Sequence, residues 1–517
     1  MIDRPSLKLP HTSPLSGLAA SVERNFGRTA IRWHNGSYSY AEFWALTAHC
    51  AEGLRQRGIG PGDRVGLCLP NSPASLFLAY GAWRLGATLV PISSRLPARM
   101  ISELLSATDA SILVSESCQY GSSLPCPATT IQQIVGEQLA HRGLSGVETD
   151  GDSVASIPHS SGTTGVPKLP LLTSRSLAAS FSLFISAYRL SASDVVPLVL
   201  PISHIYGSMV AHGTLLAGGT LVLTDGRWSA REFLEMSHSV GASIWFLAPP
   251  AIYDLRLELE AASVRLPSLR YVLSGGAPLN APLGISVSRL IDAPVAQGYG
   301  LTECCSISHA PFVESLPVGE GLADALEVVG FPVSNTAVRV AIERRDSDSL
   351  QSAHEGEVLI RGPQVMTGYL GVQGKEQPID SEGWLSTGDI GHVRDDGSLQ
   401  ITDRIKDFMK VRGYSLAPVQ LEAELRALGL DGDFAVVGVS HPRDGERPVV
   451  AVPAESAAEW HSVSADLERW NGSLPAHMRI WRVIEIDALP RTESGKIMRR
   501  TVQAKLSDGR ELFESDS

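Results

Sequence analysis

Short apolar runs alternate with amphipathic stretches along the first 120 residues. Ala30–Trp33 and Ser37–Tyr40 flank Asn35-Gly36, a pattern that predicts a hairpin closed by a tight turn. Ser39 followed by Glu42 has the spacing of a capping box and opens a helix expected to end near Gly58. Arg64–Leu69 reads as a strand, Ser72–Leu85 as a helix stopped at Gly86, and Thr88–Pro91 as the next strand. This repetition predicts a mostly parallel, buried sheet with helices on its faces. The rhythm resumes with a helix over Ser174–Tyr188 and strands over Val195–Leu200, Thr220–Leu223, Ser243–Leu247 and Leu269–Leu273. From about Gly330 the helical period fades. Short alternating runs at Ala337–Ala341 and Glu357–Ile360 then predict an antiparallel or barrel-like region.

The charged run Asp403-Arg404-Ile405-Lys406-Asp407 is the expected boundary, dividing the chain into 1–403 and 404–517. The second part has a helical stretch over Pro418–Leu428, stopped at Gly429, a strand over Ala435–Val439 and a basic tail, which suits a small α+β domain. The expected class is therefore α/β, with a large N-terminal domain of βαβ sheets plus a small barrel-like region and a small α+β C-terminal domain.

Composition changes little in this picture. The 517 residues are 44% hydrophobic and 19% charged, as in an ordinary globular chain. The net charge of −12 argues against nucleic acid as a partner. Val195–Thr224 contains no Asp, Glu, Lys or Arg, yet Pro197, Pro201, His204, His212 and Gly218-Gly219 interrupt it; it reads as buried strand, loop and helix rather than a membrane span. Met1–Pro14 lacks a signal pattern, and the six cysteines form no Cys-x-x-Cys pair. Cys304 and Cys305 read as packing residues. The expectation is a soluble, cytoplasmic protein.

The most specific local feature is Ser160-Ser161-Gly162-Thr163-Thr164-Gly165-Val166-Pro167-Lys168. Its glycines allow sharp turns that bring N–H groups to an anion, its hydroxyls add donors, and Lys168 supplies a charge for phosphate. The nucleotide-hydrolase pattern Gly-x-x-x-x-Gly-Lys-Ser/Thr does not fit. By composition alone a flexible Ser/Gly/Thr linker remains the alternative.

This segment resembles the phosphate-loop signature of the adenylate-forming enzymes, which include acyl-CoA synthetases, adenylation domains and luciferases. Six further signatures follow in the family's order. They are Ser274-Gly275-Gly276-Ala277-Pro278, Gln297-Gly298-Tyr299-Gly300-Leu301-Thr302-Glu303, Ser386-Thr387-Gly388-Asp389, Asp403-Arg404 with Lys406, Lys410-Val411-Arg412-Gly413-Tyr414, and Pro490–Lys496. The resemblance spans about residues 15–505.

The resemblance implies ATP as co-substrate, with Ser160, Ser161, Gly162, Thr163, Thr164, Gly165 and Lys168 around its phosphates. Gly276, Ala277, Pro278, Gly298 and Tyr299 would form the adenine slot, and Gly300 would also bind ATP. Asp389 and Arg404 would hold the ribose, and Thr302 and Glu303 would act at the reaction centre, with Glu303 holding Mg²⁺. Lys496 would bridge the reacting carboxylate and the α-phosphate. Lys406 would be the hinge of a mobile C-terminal domain, and Lys410, Arg412, Gly413 and Tyr414 would line a thiol channel. Taken singly, Glu303, Asp389, Arg404, Lys406 and Lys496 could each be an ordinary solvated charge.

An acyl pocket is implied at His204, Ile205, Tyr206, Gly207, Ser274 and Gly275. His204 could gate that pocket or be a packed core histidine. Amino-acid-activating relatives carry an Asp near this segment, and none stands between Val195 and Thr224; Pro201-x-x-His204-x-Tyr206-Gly207 resembles the aryl- and fatty-acyl-CoA ligases instead. The expected partners are a small carboxylic acid and coenzyme A. The alternatives are a separate carrier protein as acceptor, or a non-catalytic nucleotide-binding relative. Two departures stand out: Leu169-Pro170 replaces the usual Gly and apolar residue after Lys168, and Ser415 replaces a longer polar residue.

Overall fold

Where the pairing partners are close in sequence, the chain folds as its pattern dictates. In a computed structural model, Thr29–Trp33 and Gly36–Ser39 pair antiparallel. The capping box forms in full: the Ser39 amide donates to Glu42 Oε2 at 2.8 Å, and the Glu42 amide donates to Ser39 Oγ at 3.2 Å. Ser39 thus ends a strand and caps the helix Tyr40–Gln56, so Tyr40 belongs to the helix rather than to the strand. The structure describes residues 4–34, 36–116, 124–135, 150–159, 168–224, 228–261, 264–341, 355–372, 377–404, 409–411, 414–416, 418–430, 432–441, 444–457, 460, 464–474, 478–492 and 496–514.

The chain divides into two compact units. The first comprises Met1–Val338, Ile360–Leu385 and Asp395–Leu399; the second comprises Arg339–Leu359, Ser386–Arg394 and Gln400–Ser517. The second unit therefore takes in two segments that precede the charged run at 403–407.

Three sheets organise the first unit. The largest runs in the order Ala128–Thr130, Ile112–Ser115, Arg64–Cys68, Thr88–Pro91, Val154–Ser156, Leu172–Thr173, and is parallel except at its last pair. The second has the order Gly36–Ser39, Thr29–Trp33, Thr220–Leu223, Val195–Leu198. The third is parallel, with Ile244–Leu247, Tyr271–Ser274 and Val295–Gln297 side by side. Its register sets Leu247 against Ser274 and Ser274 against Gln297, so the carboxyl ends of all three strands are level. Ligands of open α/β sheets gather at that edge, and two of the signature segments begin there.

The uncharged stretch Val195–Thr224 becomes strand Val195–Leu198, helix Ile205–Ala217 and strand Thr220–Leu223. Gly218, with φ of +86°, ends the helix in the left-handed conformation that glycine adopts without strain. Both strands and most of the helix are buried, which accounts for the missing charges. Among the described residues no helix is long and apolar enough to cross a membrane.

The region expected to be antiparallel or barrel-like is a four-stranded sheet in chain order, formed by Ala337–Ala341, Gly356–Arg361, Leu385–Val393 and Leu399–Arg404. The second unit carries a further six-stranded sheet. Gly445–Pro453 lies at its centre, antiparallel to Ala435–His441 and parallel to Arg482–Ile486. Helices Pro418–Ala427, Ser464–Ser473 and Arg499–Lys505 accompany it. Its core includes Met409, Leu421, Phe434, Val450, Trp460 and Ile480.

Candidate active site

Two loops leave the level edge of the three-stranded sheet and are tied together. The Gly298 amide donates to the Ser274 carbonyl at 3.0 Å, and the Gly275 amide to the Leu247 carbonyl at 3.0 Å. Gly276 has φ of +88°, a turn that a side chain would strain. Gln297, buried at the end of its strand, accepts from the Leu279 amide at 2.7 Å and donates to the Leu326 carbonyl at 2.5 Å. It thereby fixes the loop carrying Gly276, Ala277 and Pro278. Gln297 was part of a signature, but its amide clamp is visible only in three dimensions.

The segments assigned to the acyl pocket also meet. Tyr206 is buried, its hydroxyl donates to the Leu273 carbonyl at 3.3 Å, and its ring lies where a Cβ on Gly275 would be only 2.8 Å away. Burial pushes the Tyr206 hydroxyl well above its ordinary pKa, so it stays a neutral donor. Ser274 Oγ is buried and has no hydrogen-bond partner among the described residues. Asn71, unremarked in the sequence, clamps the approach to this segment: its Nδ2 donates to the Leu200 carbonyl at 2.9 Å and its Oδ1 accepts from the Ile202 amide at 2.8 Å.

His204 is neither wholly buried nor simply exposed; its Nδ1 accepts from the Tyr206 amide at 3.2 Å, capping helix Ile205–Ala217. Gly207 lies in the first turn, where a Cβ would strike the Pro201 carbonyl and come within 2.9 Å of the Leu200 oxygen. Gly207→Ala is therefore expected to destabilise the first unit by about 1–3 kcal/mol, as overpacking does. A denaturant midpoint equal to the parent's would show that the close approach is unnecessary. A hollow of about 570 Å³ lies elsewhere, against Trp33, Val222, Trp228 and Phe233, and includes none of the signature residues.

The charged groups gather on a different set of contacts. Lys168 follows the segment expected to hold phosphate; Ser160, Ser161, Gly162, Thr163, Thr164 and Gly165 lie outside the described residues. The chain leaving that loop pairs with Thr367–Leu370: the Leu171 amide donates to the Gly368 carbonyl at 2.8 Å, and the Leu370 amide to the Leu169 carbonyl at 2.9 Å. Pro170 sits opposite Tyr369, in the register that asks for no N–H from it. Leu169 is buried, so the Leu169-Pro170 departure is accommodated as packed strand.

This pairing delivers Tyr369 between the two charges. Lys168 Nζ donates to Tyr369 Oη at 3.4 Å and lies 4.7 Å from the centre of its ring. Tyr369 Oη donates to Glu303 Oε1 at 2.6 Å. Burial, then the Glu303 carboxylate and its hydrogen bond, raise the tyrosine pKa, so the hydroxyl remains protonated. Glu303 itself sits with Thr302 in the short helix Thr302–Cys304, and its carbonyl accepts from the Met366 amide at 2.8 Å. Cys304 and Cys305 behind it are fully buried, and burial pushes the Cys305 thiol up to about 12.

Among the described residues no cluster of three or more His, Cys, Asp or Glu could cage a metal. The half-buried Glu303 carboxylate, joined to Lys168 through Tyr369, is nevertheless of a kind that could hold Mg²⁺ arriving on phosphates. The residues present fit that ion.

The remaining candidates fall in the second unit. Asp389 is buried, unlike an ordinary surface charge, and lies in strand Leu385–Val393. Arg404 ends strand Leu399–Arg404, but its side chain lies outside the described groups. Lys406, Arg412 and Gly413 lie outside the described residues, as do the side chains of Lys410, Tyr414 and Ser415; the backbone pairs Lys410 with Ser415 and Val411 with Tyr414 in a hairpin. Half-buried Lys496 stands on another hairpin. The Thr492 amide donates to the Lys496 carbonyl at 2.8 Å, the Lys496 amide to Thr492 Oγ1 at 3.1 Å, and the Met498 amide to the Pro490 carbonyl at 2.9 Å.

A model of the AMP-binding enzyme family matches residues 18–370, and one of the AMP-binding enzyme C-terminal domain matches residues 422–496. The chain belongs to the AMP-binding enzymes. As such it is an adenylate-forming ligase of the acid–thiol type. This AMP-binding enzyme is 31% identical over 504 residues to 4-coumarate–CoA ligase 2 of Nicotiana tabacum, across 91% of this chain and 90% of that one. Its fold matches a fatty acyl CoA synthetase of Mycobacterium tuberculosis with a TM-score of 0.73 at 26% identity, covering 95% of this chain and 99% of that one. It also matches an o-succinylbenzoate CoA synthetase of Bacillus subtilis, in complex with an acyl-adenylate, with a TM-score of 0.78 at 23% identity and coverage of 94% and 97%.

Proposed function

We infer that this enzyme condenses an aryl or fatty carboxylic acid with ATP to give an acyl-adenylate and pyrophosphate, and then transfers the acyl group to the thiol of coenzyme A. The observation that supports the reading is the Lys168–Tyr369–Glu303 chain, in which one tyrosine joins a cation and a carboxylate of the kinds a metal-bound triphosphate would need. The first step needs such groups because carboxylate attack on the α-phosphorus brings two anions together, and charge must be offset on the phosphoryl oxygens and the departing pyrophosphate. Mg²⁺ held by Glu303 would neutralise part of that charge. Lys168 would bind the phosphates, and Lys496 would draw the carboxylate and α-phosphate together. Ribose contacts fall to Asp389 and Arg404, with Lys406 as hinge and the 410–414 hairpin on the thiol side.

An apolar acid is supported by Tyr206 packed over Gly275 and by the lack of any acidic residue in Val195–Thr224 that could pair with an α-ammonium. The names of the 4-coumarate–CoA ligase relatives favour an aromatic acid among these. ATP–pyrophosphate exchange over a panel of aromatic, aliphatic and amino acids tests the first step. Thioester detection with coenzyme A or a holo carrier protein tests the second. Exchange driven best by amino acids, or acyl transfer to the carrier alone, would overturn the corresponding half of the reading.

A further inference from the structure

Tyr369 belongs to none of the signatures, yet it touches both charges of the phosphate site. It is 7% exposed and held at its backbone as well: its amide donates to Gln377 Oε1 at 2.9 Å, and its carbonyl accepts from Gln377 Nε2 at 3.2 Å. The flanking residues are fixed on two sides, by the chain leaving the phosphate loop and by the Glu303 carbonyl. Oη is thus delivered to Glu303 Oε1 by the fold rather than by a freely rotating side chain. Among the described residues, the second oxygen of Glu303 has no hydrogen bond to protein.

We propose that Tyr369 is a positioning residue of the metal–phosphate site: its hydroxyl orients the Glu303 carboxylate toward a phosphate-bound divalent cation, while its ring face and oxygen hold Lys168 beside it. The proposal rests on the adenylate-forming reading above. A hydroxyl donating to one carboxylate oxygen restricts the carboxylate's rotation and leaves the other oxygen for the ion, as outer-shell partners of metal ligands do. The ring offers the lysine ammonium a cation–π surface that does not depend on the hydroxyl. The two functions can therefore be separated by substitution.

The test uses the full chain, Mn²⁺ as a spectroscopic stand-in for Mg²⁺, and an ATP analogue with a methylene bridge between the α- and β-phosphorus, so that no turnover occurs. Mn²⁺ binding in the presence of the analogue is followed by electron paramagnetic resonance, and analogue binding in metal-free buffer by calorimetry. Tyr369→Phe is expected to weaken Mn²⁺ binding about ten-fold, the lower end for loss of an outer-shell partner, with metal-free analogue affinity near the parent's because the ring remains. Tyr369→Leu, which also removes the ring, is expected to weaken both. Equal Mn²⁺ affinity in Tyr369→Phe and the parent would overturn the proposal. Parallel weakening of metal and metal-free analogue binding in Tyr369→Phe would also overturn it, since it would mark a merely structural role. If the parent bound the analogue but no Mn²⁺, Glu303 would lose its metal role and Tyr369 with it. A parent that bound neither would instead sink the proposed ATP-dependent reaction on which both depend.

Discussion

Lys496→Ala is expected to lower ATP–pyrophosphate exchange by a factor on the order of 10²–10³, the loss seen when one oriented oxyanion donor is removed. Thioester formation from a supplied acyl-adenylate is expected to stay within a few-fold of the parent. The split follows from the chemistry. In the first half-reaction an anionic nucleophile meets an anionic phosphoryl group, and a cation between them stabilises the transition state more than the separated reactants. In the second half-reaction the acyl-adenylate is already formed and a thiol attacks its carbonyl, so that cation has no such task. The local structure is consistent with a device rather than a loose tail: Lys496 stands on a hairpin whose amides and carbonyls are paired at Thr492, Pro490 and Met498. Lys496→Arg is expected to recover only part of the exchange, because a planar fork does not replace a compact ammonium. Exchange by Lys496→Ala at the parent's rate would remove the residue from the mechanism.

How much was legible in the sequence depended on how far apart the interacting residues lie. The Ser39–Glu42 capping box was readable because both partners are within one helical turn. The burial of Val195–Thr224 was readable because desolvation excludes charge from the whole stretch. The pairing of Leu169–Leu171 with Thr367–Leu370 was not, since some two hundred residues intervene and neither segment has a periodic signal. That pairing, together with the Met366 amide on the Glu303 carbonyl, brings Tyr369 to Lys168 and Glu303, and neither contact has a local signal in the sequence. Asn71 and the clamping role of Gln297 had no signal in the sequence for a related reason: each acts through a side-chain amide on the backbone of a distant loop. The resemblance named the charged groups; the structure supplied what holds them.

The same distinction makes Arg499 the second residue whose loss should be severe. Arg499 Nη1 and Nη2 donate to Glu422 Oε1 and Oε2 at 2.6 and 3.1 Å, and Nη1 also donates to the Val436 carbonyl at 2.7 Å. Glu422 Oε1 accepts in turn from the Val436 amide at 2.8 Å. The Arg499 and Glu422 side chains are 15% and 14% exposed. This bidentate pair links helix Pro418–Ala427, strand Ala435–His441 and the residue immediately after the Lys496 hairpin. Arg499→Met is expected to destabilise the second unit by about 3 kcal/mol, the lower end for a buried pair that loses one partner because this pair is part-buried; Glu422 would keep its charge with, among the described residues, one amide to satisfy it. Glu422→Gln is expected to cost less, since its amide oxygen still accepts from Arg499 and Val436. By contrast Arg491, which also pairs with Asp433 through two short contacts, is 31% exposed against a partner at 38%. Water screens that pair, and Asp433→Asn is expected to cost under about 1 kcal/mol. The readouts are urea unfolding of the second unit, hydrogen exchange at the Lys496 and Met498 amides, and pyrophosphate exchange under conditions where Arg499→Met remains folded. Folded Arg499→Met is expected to lose amide protection at the hairpin and adenylation together, while thioester formation from supplied acyl-adenylate persists. Retained protection and a parent-like exchange rate would show that the hairpin holds Lys496 without this anchor.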